Sequence, residues 1–295
     1  MNYIGWNGSV VKAEEAVVSV FDHGFLYGMG LFETFRTYGG RPYLLERHLK
    51  RLGDGCRQLG IIYPAEDQSN IERLKEWIAQ LMTANELEEA YIRLTITAGE
   101  AGLGLPAADY EAPNEVLLAK PLPSADPMLY QTGKQLALLN TRRNTPEGEV
   151  RLKSLHYMNN LLAKRELLQS GAAPGAEGLM LTGEGWLAEG IVSNLFFARS
   201  GVIYTPAIQT GILPGITRER VIELARSEQR FAVEEGLYTW DDLLLADEVW
   251  LTTSIQELVP VTSLRHQDGT VTEIGAGGAG AITLCLLEAY RQDHL

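Results

Sequence analysis

An amine at position 153 stands in an unusual setting for a lysine. It follows Arg151-Leu152 and precedes Ser154-Leu155-His156, ahead of a run rich in Asn and Leu. A solitary lysine is most often a solvated surface group; desolvated, it becomes a nucleophile or a proton carrier, because burial lowers its pKa readily. Downstream, Glu189 precedes a glycine and leads into Ser193-Asn194 and the apolar Leu195-Phe196-Phe197. Its carboxylate would face a cleft, with Ser193 and Asn194 fixing the turn through side-chain bonds to backbone. The stretch Thr210-Gly-Ile-Leu-Pro-Gly-Ile-Thr-Arg218 sets two glycines and a proline before a helix that starts near Thr217. Free N–H groups and a hydroxyl at a helix start can hold a phosphate, or simply cap the helix. Leu251-Thr-Thr-Ser254 ends an apolar strand on three hydroxyls, which suit either a turn cap or phosphate oxygens. Arg142-Arg143 enters the turn at Asn144-Thr-Pro-Glu-Gly148, either as solvated loop residues or as an anion clamp, guanidinium being matched to carboxylate geometry.

One chemistry needs all of these parts. Pyridoxal phosphate (PLP) catalysis requires a lysine to hold the cofactor aldehyde and move protons. It requires a carboxylate on the pyridine nitrogen, so that the ring accepts electrons, and an anchor for the phosphate.

Elements that could position these groups follow from periodicity. Residues 3–10 read as a hairpin turning at Asn7-Gly8. Residues 44–59 read as a helix with Leu45, Leu49, Leu52, Cys56 and Leu59 on one face. A second helix is expected near Ser69, where Ser69 and Glu72 match a capping box. Strands are expected at 91–98 and 115–120, with a loop at 99–112. Prolines 121, 123 and 127 break any regular element, so 121–127 is read as a linker. It separates a small α+β domain, 1–120, from a larger domain, 128–295. In the larger part, strands at 135–139, 178–181, 194–198, 202–204, 232–235, 248–252 and 258–261 alternate with helices at 157–169, 217–227 and 280–291.

Bulk properties exclude several classes. The chain has 295 residues and a net charge of −13 with no basic run, so nucleic acid is a poor partner. An anionic small substrate would need a local arginine cluster. The two cysteines, Cys56 and Cys285, have neither disulfide nor metal spacing. Residues 1–8 carry no basic region or apolar run, so no signal peptide is expected. No stretch is long and apolar enough to span a membrane, and the cytoplasm is the default compartment. Gly275-Ala-Gly-Gly-Ala-Gly280 matches a dinucleotide fingerprint literally. The chain ends fifteen residues later, without the second strand and acid that fingerprint needs, so a turn into the last helix is expected.

The lysine segment, Glu189-Gly-x-x-Ser193-Asn194, Gly215-Ile-Thr-Arg218, His48-x-x-Arg51-Leu52 and Phe21-Asp-His-Gly24 together resemble the class IV aminotransferase family, the fold-type IV PLP enzymes. The resemblance covers essentially the whole chain. It implies an α/β (α+β) fold of two domains, a small N-terminal α+β domain and a larger C-terminal pseudo-barrel that binds PLP. It implies that Lys153 forms the Schiff base and that Glu189 pairs with the pyridine nitrogen. Arg51, with His48 on its helix face, would reach the phosphate, as would Ile216, Thr217, Thr253 and Ser254. Tyr157 and Ser193 would lie near the cofactor, and the active form would be a homodimer. Branched-chain aminotransferases, D-amino-acid aminotransferases and 4-amino-4-deoxychorismate lyases share this scaffold. Phe21 to Arg36 and Arg142 to Asn160 are most similar to lyases of the Gram-positive type. The histidine and arginine that D-amino-acid aminotransferases carry after the strand at 91–97 are absent from Ala98-Gly-Glu-Ala-Gly102. The lyase reading implies elimination of pyruvate to leave 4-aminobenzoate, with Lys153 as the base. Arg142, Arg143 and Phe32 would contact the substrate, with Arg36 and Arg93 as secondary candidates for its carboxylates.

Overall fold

The computed structural model describes residues 1–123, 126–227 and 231–294. By contacts the chain divides into two units. One is Met1–Ser124 with Leu152–His156; the other is Ala125–Arg151 with Tyr157–Leu295. The lysine segment, expected within the 128–295 domain, thus packs with the first unit. Ser124 and Ala125 of the expected linker lie outside the described residues.

The first unit opens with the hairpin β1 (Tyr3–Trp6) and β2 (Ser9–Lys12), turning at Asn7-Gly8 as expected. The short helix α1 (His23–Tyr27) and strands β3 (Gly30–Tyr38) and β4 (Arg41–Pro42) follow. Helices α2 (Leu45–Gln58) and α3 (Gln68–Ala84) precede β5 (Ala90–Thr97) and β6 (Asn114–Pro121). The strands form one antiparallel sheet in the order β2-β1-β6-β5-β3-β4. Leu45, Leu49, Leu52 and Cys56 of α2 and Leu74, Trp77, Ile78 and Leu81 of α3 bury against Leu31, Phe35, Ile92, Leu94 and Ile96. That three- and four-residue spacing meets the two-residue spacing of the strands, which is what lets helix face and sheet face close a core. In this core the Cys56 thiol is pushed up by burial to about 12, so it acts as a small hydrophobe.

Three details differ from the sequence reading. α3 begins one residue early, with Asp67 in the N-cap place and no side-chain cap bond. Ser69 is therefore inside the helix and the Ser69–Glu72 box does not form. Pro121 is the last residue of β6, opposite Ala90, where a strand can end on proline. Strand β3 was not anticipated; its first four residues are buried on both faces and do not alternate.

The second unit contains α4 (Leu129–Thr132), β7 (Lys134–Leu138), α5 (Met158–Gln169), β8 (Glu177–Leu181), β9 (Leu187–Gly190), β10 (Asn194–Arg199) and β11 (Val202–Pro206). These are followed by α6 (Ile216–Ser227), β12 (Val233–Gly236), α7 (Trp240–Leu244), β13 (Glu248–Thr253), β14 (Glu257–Arg265), β15 (Val271–Glu273) and α8 (Ala281–Gln292). Its mixed sheet runs β12-β11-β10-β13-β14-β7-β8-β9, with β15 on β14. The end strand β9 also touches β10 and β11, so the sheet curls back on itself. Strand β9 and the short α7 and β15 were not anticipated; β9 has only four residues, all buried.

The glycine-rich run leads into α8 as a turn. Glu248 of β13 caps this helix, its Oε1 accepting from Ile282 N at 3.0 Å and its Oε2 from Thr283 N and Oγ1, both at 2.8 Å. A Cβ on Gly280 would strike that carboxylate. The helix start therefore already holds an anion supplied by the chain, which leaves no place for a diphosphate.

Candidate functional site

Within the first unit, Lys153 is fixed by its backbone. Its carbonyl accepts from Phe32 N at 2.9 Å, and Leu155 N donates to Gly30 O at 3.0 Å. Ser154 bridges Leu31, so the segment runs antiparallel beside the start of β3. This alignment places Lys153 Nζ 4.5 Å from the centroid of the Phe32 ring. The Arg93 guanidinium lies over the same ring at 3.7 Å. Phe32 is buried. Antiparallel register sets Phe32 opposite Thr95 and Thr34 opposite Arg93, so these side chains share one sheet face. Arg93 Nε also bonds Thr95 Oγ1 at 3.2 Å. Two cations thus converge on one aromatic ring, a geometry that cation–π attraction supports.

On the opposite face of β3, Glu33 is 1% exposed. Arg51 gives it Nε at 2.8 Å and Nη2 at 2.6 Å, and His48 Nδ1 stands 2.7 Å away. A carboxylate only accepts, so His48 carries its proton on Nδ1. Burial alone would raise the Glu33 pKa, but the Arg51 charge and the bonds from His48 and Arg51 overcome it and hold the carboxyl at about 2. Burial pushes His48 below its usual value, so its neutral form is favoured. Arg51 and His48, expected together at a phosphate, are joined here by an acid that the sequence reading overlooked. The signal was present: a lone glutamate in the apolar Leu31-Phe-Glu-Thr-Phe35.

A depressed carboxyl pKa stabilises the folded state above the unfolded value and loses that contribution as pH falls through the folded value. Between 4.5 and about 2, Glu33 should account for on the order of 3 kcal/mol of acid sensitivity. In Glu33→Gln, urea midpoints measured from pH 5 to pH 3 should fall less steeply than in the parent; parallel curves would rule this out.

Within the second unit, the carboxylate of Glu189 is buried and accepts three hydrogen bonds. Arg143 Nε donates to Oε1 at 2.7 Å; Asn194 Nδ2, at 3.2 Å, and Leu213 N, at 3.0 Å, donate to Oε2. Glu189 lies on β9 itself rather than in a turn. Arg143 also gives Nη1 to Asn159 Oδ1 at 2.8 Å. Arg143, expected as a substrate clamp, is here paired with that inward carboxylate at 8% side-chain exposure. Arg142 is exposed. Arg151 is buried, bonding Gly211 O through Nε at 2.5 Å and the Asn144 carbonyl through Nη2. Burial and the nearby Arg143 charge push its pKa down to about 10.

The hydroxyls gather at the start of α6. Thr217 Oγ1 is 3.3 Å from Ser254 Oγ, and Ile216 and Thr217 begin the helix, where the first N–H groups have no helical acceptor. Gly215 lies so close to Asn194 that a Cβ would collide with Asn194 Oδ1, which explains the glycine there. Thr253 Oγ1 accepts from Ile255 N at 3.3 Å and Gln256 N at 2.8 Å, so it caps the turn. Ser193 does not fix its turn through its hydroxyl. That bond is Gly190 N to Ser193 O at 2.8 Å, and Ser193 Oγ is buried without a partner among the described residues. Asn194 instead ties this segment to the loop before α6, donating to Leu213 O at 2.9 Å. Tyr157 is half-buried at the N-cap of α5.

A family model described as amino-transferase class IV matches residues 30–264. The chain belongs to this family. It is 42% identical over 290 residues to aminodeoxychorismate lyase of Bacillus subtilis, covering 97% of this chain and 93% of that one. The solved 4-amino-4-deoxychorismate lyase from Pseudomonas aeruginosa superposes with a TM-score of 0.84 at 28% identity, covering 98% of both chains. A solved branched-chain amino acid aminotransferase with pyridoxamine 5'-phosphate superposes with a TM-score of 0.82 at 32% identity, covering 99% of this chain and 93% of that one. As a class IV aminotransferase family member, the chain has the mixed α/β fold of the fold-type IV enzymes, with the curled sheet in its second unit.

Proposed function

We propose that this chain is a PLP-dependent lyase that converts 4-amino-4-deoxychorismate to 4-aminobenzoate and pyruvate. Supporting this reading, the two units carry side chains of the kinds that the three functional parts of the cofactor require. Lys153 presents an amine for the aldehyde. Glu189 presents a carboxylate held by Arg143, Asn194 and Leu213 for the ring nitrogen. The start of α6, with Thr217 and Ser254, presents N–H groups and hydroxyls for the phosphate. Arg51, steered by Glu33, adds a guanidinium for the phosphate, and Thr253 keeps the serine loop in place. Tyr157 and Ser193 remain candidates for contacts around the ring. Identity of 42% across nearly the whole of a curated lyase favours elimination over amino transfer.

PLP, when bound, would supply a ring that accepts an electron pair. The Lys153 amine would take the proton from C4 of the substrate. The C3–O bond then breaks, the enolpyruvate takes a proton and leaves as pyruvate, and the ring becomes aromatic. Phe32 shields Lys153 from water on one side. Arg143 and two N–H donors hold the Glu189 carboxylate in place.

The substrate carries two carboxylates. With Arg143 committed to Glu189, Arg93 is the better anchor: it shares the Phe32 ring with Lys153. Exposed Arg142 is the candidate for the second. Arg93→Leu should raise KM for aminodeoxychorismate about tenfold or more, the worth of a charged hydrogen bond. An unchanged KM would dismiss Arg93.

Similarity to the branched-chain enzymes keeps amino transfer as the second reading. One assay separates them. Incubation with aminodeoxychorismate should give aromatic product and pyruvate in equal amounts, while L-leucine or D-alanine with 2-oxoglutarate should give little amino transfer. The reverse pattern would overturn the lyase assignment.

The working form we propose is a cytoplasmic homodimer. Met158, Leu161, Leu162 and Leu168 of α5 are exposed, and their spacing sets them along one side of the helix. A second copy is the partner that would cover them. Both cysteines are free thiols, which suits a reducing compartment. Light scattering should give twice the chain mass, and Leu161→Glu should shift it toward the monomer. A monomeric parent would refute this assembly.

A further inference from the structure

The last helix, α8, has no part in the chemistry assigned so far. Yet two consecutive residues of it reach the hydroxyl-lined loops. Tyr290, 1% exposed, brings its phenol oxygen to 3.2 Å from Thr217 Oγ1. Next to it, Arg291 pairs with Glu257 through Nε at 2.7 Å and Nη2 at 2.6 Å. Glu257 is buried and has a φ of 60°. A non-glycine residue stays in this left-handed region only where its surroundings impose it. Glu257 closes the turn that presents Thr253 and Ser254. One turn of α8 therefore fixes both the residue at the start of α6 and the loop that faces it.

We infer that Tyr290 is a positioning residue for the phosphate anchor, holding the Thr217 hydroxyl so that its proton is directed at the phosphate. The inference rests on the cofactor reading above. A hydroxyl has one proton and two lone pairs, and a phosphate dianion only accepts. Once Thr217 gives its proton to the phosphate, its bond with Tyr290 has the phenol as donor. That donation fixes the rotor of Thr217 and polarises its O–H toward the anion. Arg291, by retaining Glu257, keeps Ser254 in reach of the same oxygen. Neither α8 residue needs to touch the cofactor.

Pyridoxal, the same aldehyde without the phosphate, separates this role from a purely structural one. The readout is the absorbance of the bound aldehyde on the full-length protein. Tyr290→Phe should raise Kd for PLP about tenfold, and Kd for pyridoxal by no more than about twofold. In a Thr217→Val background, Tyr290→Phe should add no further loss for PLP. Equal weakening of both aldehydes, or full additivity with Thr217→Val, would show that Tyr290 acts only through folding and would overturn the inference. A parent protein that binds neither aldehyde would overturn the cofactor reading, and the inference with it, before any variant is made.

Discussion

Lys153→Ala is expected to abolish the covalent cofactor adduct and to lower kcat/KM by about 10³-fold or more. A positioned proton carrier alone contributes about 10²–10⁴, and the variant also loses covalent capture of the aldehyde. The fold should survive. The strand-like bonds of this segment are made by the Lys153 carbonyl and the Leu155 amide, not by the side chain. Circular dichroism and unfolding midpoints should therefore match the parent. Absorbance after mixing with PLP, followed by reduction and mass measurement, reads the adduct directly. A variant that still forms it would move the Schiff base to another lysine.

Glu189→Gln is expected to damage both turnover and stability. On the proposed function, the ring nitrogen would lose the partner that keeps it protonated. Arg143 is left buried with only amide partners. Breaking a buried pair in this way costs about 3–5 kcal/mol. Urea unfolding of cofactor-free protein measures that cost apart from catalysis. The double variant Glu189→Gln/Arg143→Met separates the two effects. Removing the stranded cation should recover much of the stability, while activity should remain low. Recovery of activity in the double variant would deny Glu189 its role at the nitrogen, and a fully stable single variant would deny that Arg143 depends on it.

Helices α2, α5, α6 and α8 and most strands of the second unit were legible, because apolar spacing and turn residues pointed the same way. Strand β3 was not legible. Its first residues are buried on both faces, one packing against α2 and the other carrying Phe32, so alternation is lost there. Lys153, Glu189 and Thr217 were singled out in the sequence as a set, because together they match the parts that PLP chemistry requires. The partners were harder to read. Arg143 looks like half of an exposed arginine pair, yet its neighbour Arg142 faces solvent while it turns inward to a residue 46 positions away. Glu33, His48 and Arg51 meet across a strand and a helix, and Tyr290 meets Thr217 across 73 positions. Contacts of such separation are set by the sheet register and helix packing, which no local pattern encodes.

The short segment 152–156, lying along the edge of β3, has a consequence for how such a protein could be divided. The first unit is not a continuous stretch of chain: residues up to the linker lack the piece that completes it. Cut at residue 123, that unit would expose unpaired backbone at Gly30 and Phe32, the kind of open edge that recruits foreign strands. The proposed Schiff-base lysine thus lies in the later part of the chain while its backbone is needed by the first unit. Neither half could be separated or exchanged alone without carrying away part of the other.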